Sequence, residues 1–452
     1  MFTSVNPATG AAEATWPEHG DAAVAARLAG AAAAFARWRV SPVAERVALL
    51  LACAERFAAD KERLAAIAVR EMGKTFTSAV AEVEKCAAGF RFYAEQGPAL
   101  LASGTAATPD GAVGTRWLPI GPVLAIMPWN FPYWQVVRFL APTILAGNVG
   151  LLKHASLTQG CAAALEEAVT AAGAPAGLFQ NLAIPGRRVA PLIADPRIAA
   201  VTLTGSEDAG AKVAAAAGAA LKKVVLELGG SDPFIVMPSA DLDAAAKAAV
   251  TARIQNTGQS CICAKRMIVH ADVYDAFRER FVAGIAAVRA GDPFDAATDM
   301  GPLSSDEQRA AVLDQVARMQ AAGGRLLVGG EALPGPGAFM SAGVVADLPA
   351  DHPIAQEEVF GPVATLFRAA DLNEAIALAN DTSFGLGSSV WTGDGQERER
   401  FVRDLACGMT AFNRVLASTP EAPFGGVKRS GHGRELGPWG LHEFMNLKAV
   451  FG

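Results

Sequence analysis

The chain has 452 residues, 52% of them hydrophobic and 19% charged, and its 39 Lys and Arg against 45 Asp and Glu give a formal net charge of −6. That balance excludes a disordered or fibrous protein, and the lack of any basic stripe or long run of like charge argues against a nucleic-acid partner. Six cysteines, at positions 53, 86, 161, 261, 263 and 407, are too sparse for a disulfide framework and suit a reducing cytoplasm, while the length suggests two or three domains with function at an interface.

The N-terminus lacks a basic region followed by an apolar segment, so no export signal is expected. Residues 41–73 carry helix punctuation at both ends: Ser41 as cap, Pro42 at the first helical position, Gly73 at the stop, with Val47, Leu50, Leu51, Ala54 and Phe57 as the apolar face. The apolar stretch 139–152 is too short to span a bilayer and is interrupted by Pro142, Gly147 and Asn148, so it reads as buried core. Strands at 200–203, 224–228 and 234–236 alternate with helices starting near Ala209 and Asp241, the rhythm of a parallel sheet. The rhythm resumes with a strand at 266–270, a helix at 274–289, a strand at 326–328 and a helix at 373–380, which predicts a second α/β domain. No internal period suggests a repeat protein.

Thr204-Gly205-Ser206 follows a predicted strand and opens a helix, where backbone N–H groups and the helix dipole can hold a pyrophosphate. The glycine spacing does not match the dinucleotide fingerprint, Ala211-Lys212 excludes a P-loop, and an ordinary strand-to-helix turn has the same pattern. Around Gly258-Gln259-Ser260-Cys261-Ile262-Cys263, two thiols sit among small polar residues, which suggests a reactive thiol or simply small residues in a turn. An unperturbed thiol is only roughly 3% ionised at pH 7, so a catalytic one needs a base, a positive dipole or a cofactor charge. No metal is expected, since the Cys-x-Cys pair has no second ligand pair at finger spacing. Glu227 ends a strand just before Gly229-Gly230, where a carboxylate emerges at a sheet edge, either into a cleft or as a solvated or ion-paired strand end. Pro128-Trp129-Asn130-Phe131-Pro132 mounts one amide rigidly, as suits an oxyanion contact or a core turn.

Together and in order, these pieces, with Lys153 and Ser156, Glu358 and Phe360, and Pro423 to Gly426, resemble an NAD(P)-dependent aldehyde dehydrogenase over nearly the whole chain. Within that family the chain looks most like the short bacterial succinate-semialdehyde dehydrogenases, judging by Leu151-Leu152-Lys153-His154-Ala155-Ser156 and Glu-Leu-Gly-Gly-Ser-Asp-Pro from Glu227. The resemblance implies that Cys261 attacks the aldehyde, that the Asn130 amide and the Cys261 N–H hold the oxyanion, and that the thiohemiacetal yields hydride to the nicotinamide. Glu227, with its pKa raised by partial burial, would be the base for thioester hydrolysis.

For the cofactor, the resemblance assigns Lys153 and Ser156 to the adenosine ribose, Gly205 and Ser206 to the pyrophosphate and nicotinamide region, and Glu358 to the nicotinamide ribose. Trp129, Leu228 and Phe360 would line the cleft. Many NAD-preferring relatives carry Glu at position 156, where it repels a 2′-phosphate; Ser156 beside Lys153 therefore predicts NADP over NAD. Trp134, Arg138 and Ser418 are expected at the substrate, the last two on a distal carboxylate, although Gln255 stands where some relatives have a second Arg. An internal salt bridge is the alternative for Arg138. Two residues of extended chain separate the Cα atoms of Cys261 and Cys263 by at most ~7 Å, near the limit for a disulfide, so Cys263 is either a redox partner or inert.

The resemblance further implies an α/β fold with a Rossmann-like cofactor domain at 1–109 and 124–228 and an α/β catalytic domain at 229–408. A small β oligomerisation element is expected at 110–123 and 409–452, making a homodimer or homotetramer. Glutarate semialdehyde or a simple aliphatic aldehyde are alternative substrates. A non-catalytic binding or structural protein on the same fold is disfavoured by intact Asn130, Glu227 and Cys261, and a cysteine hydrolase would need a histidine base, the nearest in sequence being His270.

Overall fold

In the computed structural model, which describes residues 1–109 and 111–451, the chain opens with antiparallel strands β1 (Phe2–Val5) and β2 (Ala12–Trp16). The expected helix at 41–73 is two helices, Val43–Ala59 and Lys61–Met72, and Pro42 precedes the first rather than beginning it. The apolar stripe stays in phase from Phe57 to Leu64, so periodicity does not see the break. Asp60 and Lys61 fall on that stripe, and the Asp60 carboxylate instead takes Arg56 at 2.8 Å and Arg63 at 2.9 Å. The Asp60 backbone leaves helical geometry there, at φ −94° and ψ 7°.

After the long helix Phe76–Leu100 comes a hairpin, β3 (Gly104–Thr108) and β4 (Gly111–Pro119). The next strands, β5 (Pro122–Met127), β6 (Val149–His154), β7 (Phe179–Asn181), β8 (Ala200–Thr204) and β9 (Lys223–Glu227), form a parallel sheet in the order β9-β8-β5-β6-β7. Its central strands are buried on both faces, as runs such as Val123-Leu124-Ala125 and Ala200-Val201-Thr202 require. The helix Trp134–Ala146, buried throughout, and β6 account for the apolar stretch at 139–152. Because the strands are parallel, Met127, His154, Thr204 and Glu227 all end at one edge of the sheet, where open α/β sheets form ligand crevices.

The second sheet contains β10 (Asp232–Val236), β11 (Ala264–His270), β12 (Arg325–Val328), β13 (Gly343–Ala346), β14 (Val363–Ala369), β15 (Gly387–Trp391) and β16 (Met409–Phe412), in the order β12-β13-β14-β11-β10-β15-β16. All neighbours are parallel except β12, the strand at 326–328 of the parallel rhythm, which runs antiparallel to β13. The glycine-rich segment 329–337 contains no crossover helix, and without one the returning strand pairs antiparallel.

Two short strands close the chain: β17 (Gly431–His432) joins the first sheet beside β9, and β18 (Met445–Val450) pairs with β4. The hairpin part of the three-stranded sheet β18-β4-β3 therefore starts at Gly104 and ends at Pro119, not at 110 and 123. Pro122 and Val123 belong to β5, Asp110 and Gly452 lie outside the described residues, and β16, within the expected tail element, completes the second sheet.

Candidate active site

Cys261 lies in a turn between two sheets, reached from the helix Leu242–Ile254 and leading into β11. The approach is strained: Asn256 and Thr257 hold left-handed φ values of 53° and 57°, and Gly258 follows at 72°. Two buried cations hold this shape. The Arg253 guanidinium donates to the carbonyls of Gly258 at 2.9 Å, Gly361 at 2.6 Å and Ala264 at 3.1 Å. The Lys265 ammonium donates to the Ser260 and Cys261 carbonyls at 2.9 and 2.8 Å and pairs with Glu358 at 3.2 Å. Both thus tie the cysteine turn to the loop carrying Glu358 and Phe360.

The Asn130 side chain donates from Nδ2 to the Gln259 carbonyl at 3.0 Å and accepts at Oδ1 from Gln135 at 3.1 Å, while the Asn130 backbone carbonyl accepts from Asn256 at 2.8 Å. This orients the amide so that its second N–H remains available. Asn130 and Cys261 face one cavity of about 290 Å³, with Trp129 and Phe360 set edge to face at 5.8 Å in its wall. Gly205, Ser206, Leu228 and Glu358 line the same cavity, so eight predicted residues from separate segments meet there.

Burial pushes the Cys261 thiol up to about 12, although Arg138 and Lys265 oppose the shift. No hydrogen bond reaches the thiol among the described residues, and the hydrolase alternative loses its base: His270 sits at the far end of β11, 3.6 Å from Asp272. His154 is buried, held near about 4 by desolvation, and bonded to the Pro132 carbonyl. No group of three potential metal ligands occurs among the described residues.

Glu227 is buried, and desolvation with the neighbouring Glu435 raises its pKa well above the carboxylate range. Its oxygens have no hydrogen-bond partner and one lies against Gly425, outside the cavity wall. To act on a water at Cys261, the side chain must swing from this position.

On the cofactor side, Ser206 caps the helix Glu207–Ala219, whose N-terminus opens at the cavity. The Thr204 hydroxyl is buried there without a partner. Lys153, at the end of β6 beside β5, is half-buried, its pKa lowered by desolvation, and it has no carboxylate partner among the described residues. Ser156 is exposed at the start of the following turn. These two lie at the neighbouring strand end and do not line the 290 Å³ cavity. An orphaned hydroxyl, a helix N-terminus and an unpaired ammonium along one sheet edge fit an anionic dinucleotide.

At the other end, Arg138 forms a buried ion pair with Glu435, Nε to Oε2 at 2.5 Å, over the Phe424 ring at 4.3 Å. The internal salt bridge is therefore present, while Nη2 remains buried without a partner. Ser418 Oγ accepts from Trp134 Nε1 at 2.9 Å and from Lys85 Nζ at 2.8 Å. Cys263 is buried and its thiol donates to the Gln255 carbonyl at 3.3 Å; neither it nor Cys261 is disulfide-bonded. Arg253, Lys265, Lys85 and Glu435 escaped sequence reading. The available signal was a charge in an otherwise apolar segment: Arg253 ends an Ala-rich helix and Lys265 sits in a strand buried on both faces.

The sequence profile described as "Aldehyde dehydrogenase family" matches residues 1–450. "Succinate-semialdehyde dehydrogenase [NADP(+)] 1" of Mycobacterium tuberculosis is 51% identical over 453 residues, covering 100% of this chain and 99% of that protein. "Succinate-semialdehyde dehydrogenase [NADP(+)]" of Mycobacterium avium is also 51% identical and covers 100% of this chain and 96% of that one. Among solved structures, "succinic semialdehyde dehydrogenase from Streptococcus pyogenes in complex with NADP+ as the cofactor" superposes with a TM-score of 0.98 at 38% identity, covering 100% of this chain and 99% of its own.

Proposed function

We propose that this chain, which belongs to the aldehyde dehydrogenase family, oxidises succinate semialdehyde to succinate with NADP preferred over NAD. The observation that carries the chemistry is the shared cavity of Cys261 and Asn130, with the amide fixed by two hydrogen bonds, the Asn130 backbone carbonyl held by a third, and one N–H free. The Cys261 sulfur attacks the carbonyl carbon, and the resulting oxyanion takes hydrogen bonds from the Cys261 N–H and from Asn130 Nδ2. The nicotinamide, when bound, supplies the hydride acceptor. Glu227, swung from Gly425, removes a proton from the water that hydrolyses the thioester, and its raised pKa suits that transfer near neutral pH. Thr204, Gly205, Ser206 and Glu358 would hold the cofactor, with Lys153 and Ser156 toward its ribose.

The unpaired Lys153 ammonium and the exposed Ser156 hydroxyl support a 2′-phosphate. The test is kcat/KM with each cofactor: NADP should win in the wild type and NAD in Ser156→Glu, and equal or better use of NAD by the wild type overturns the preference. The sheet β18-β4-β3 leaves β3 exposed along its length and Leu447 and Val450 exposed at 50% and 40%, which supports docking on a second copy. No helix among the described residues is long and apolar enough to cross a membrane, and the six free cysteines support a reducing cytoplasm.

A further inference from the structure

We infer that Lys85 is a specificity-determining residue that, with Ser418 and Arg138, holds the anionic end of the semialdehyde, supplying the second cation that Gln255 does not. This rests on the proposed substrate class and adds a residue to it.

The helix Phe76–Leu100 presents Glu82 and Lys85 one turn apart toward the start of the helix Trp134–Ala146. Their roles diverge. The Glu82 carboxylate accepts from the Tyr133 and Trp134 backbone N–H groups, both at 2.9 Å, and pairs with Lys74. It is thus committed to that helix start. Lys85 is left with no carboxylate partner among the described residues; its ammonium lies 4.6 Å from the centroid of the Trp134 ring and donates to Ser418 Oγ.

The donors around Ser418 are in excess. Its oxygen already accepts from Lys85 and Trp134, so its own hydrogen must point elsewhere, and no acceptor for it occurs among the described residues. Lys85 has two further N–H bonds, and Arg138, one turn beyond Trp134 on the same helix face, has a buried Nη2 without a partner. Phe424, under the Arg138 guanidinium, and Ser418 share the wall of one cavity of about 440 Å³. The Arg138 charge opposes the upward shift of the Cys261 thiol. The Lys85 ammonium without a carboxylate, the Ser418 hydroxyl without an acceptor and the Arg138 Nη2 left over from the pair with Glu435 are spare donors of the kind a substrate carboxylate completes.

Desolvation and the Arg138 charge lower Lys85 to about 8, against small opposing contributions from Cys86 and Glu82. The free ammonium therefore loses its proton in an accessible range. Above it, a carboxylate loses one of its two cations.

The experiment compares succinate semialdehyde with butanal, the four-carbon aldehyde lacking the carboxylate, in the wild type, Lys85→Met and Lys85→Arg. Lys85→Met should lower kcat/KM for succinate semialdehyde about ten- to a hundredfold, chiefly through KM, the range of one charge-assisted hydrogen bond. Butanal should stay within threefold, and Lys85→Arg should recover most of the loss. An equal fall for both substrates, or retention of succinate semialdehyde turnover within threefold, overturns the role of Lys85. If Lys85→Met does not fold, the wild type decides: its KM for succinate semialdehyde should rise between pH 7 and 9.5 relative to that for butanal, and a constant ratio overturns the inference. A wild type that does not favour succinate semialdehyde over butanal instead overturns the proposed substrate, and the inference with it.

Discussion

The free protein should keep Cys261, the proposed nucleophile, protonated. Moving the Cys261 thiol from 9.0 to about 12 leaves about a thousandfold less thiolate at neutral pH than an ordinary cysteine has. A more basic thiolate is intrinsically more reactive, with a Brønsted slope of roughly 0.4–0.5, so three pH units return about 20-fold. The net expectation is a reaction about 50-fold slower than that of an unperturbed exposed thiol. Of the other cysteines only Cys407 is partly exposed, so the assay uses a Cys407→Ser background. It follows loss of dehydrogenase activity and the mass of the adduct during treatment with 2-hydroxyethyl disulfide. The inactivation rate should climb about tenfold per pH unit from 7 to 10 without levelling, as for a single group titrating above that range. A plateau between pH 7 and 9 would refute the reasoning, because the thiolate would then already be formed by groups within the chain. If the activating charge comes with the oxidised cofactor, NADP+ should raise the rate at least tenfold and NADPH should not.

Glu227→Gln should lower steady-state kcat by about 10²–10⁴ while leaving a burst of one NADPH per site, since only hydrolysis of the thioester needs the base; a kcat within threefold of wild type without a burst would remove Glu227 from that step. In the wild type the raised Glu227 pKa means the carboxylate is protonated at low pH, so kcat limited by hydrolysis should increase with pH, and a kcat falling from pH 6 to 8 would contradict it. Gly258→Ala puts a Cβ 2.2 Å from the Gly361 carbonyl oxygen, whereas Gly173→Ala, at a similarly positive φ, meets nothing within 4 Å. Both carry the left-handed cost of about 1–2 kcal/mol, but only Gly258→Ala should abolish activity and lower Tm by clearly more than its control; similar behaviour of the two would mean the cysteine turn tolerates distortion.

The motif residues were legible because chain order and residue type suffice for them: Asn130 between two prolines, Glu227 at a strand end, Cys261 among small polar residues. The buried helix and strand around the stretch at 139–152 were legible for a similar reason, since fourteen residues of mostly apolar chain have no place but a core. The break at Asp60 was not, because its apolar stripe stays in phase and only the two arginines around the carboxylate mark it. The antiparallel β12 was also hidden, since a strand's direction depends on which neighbour it meets.

By itself the sequence determined the family and the α/β class and singled out Cys261 and Asn130 as the candidate nucleophile and oxyanion amide, all of which are carried by local residue types in a fixed order. Only the tertiary structure decided which charges are spent and which are free. Arg138 is paired with Glu435, Glu82 with Lys74, and Lys265 with Glu358, whereas Lys85 and Lys153 have no carboxylate partner among the described residues. Pairing acts over a few ångströms between segments up to hundreds of residues apart, and no local pattern encodes it. For the same reason the direction in which Glu227 points, and the height to which burial lifts the Cys261 thiol, belong to the packed molecule rather than to the chain.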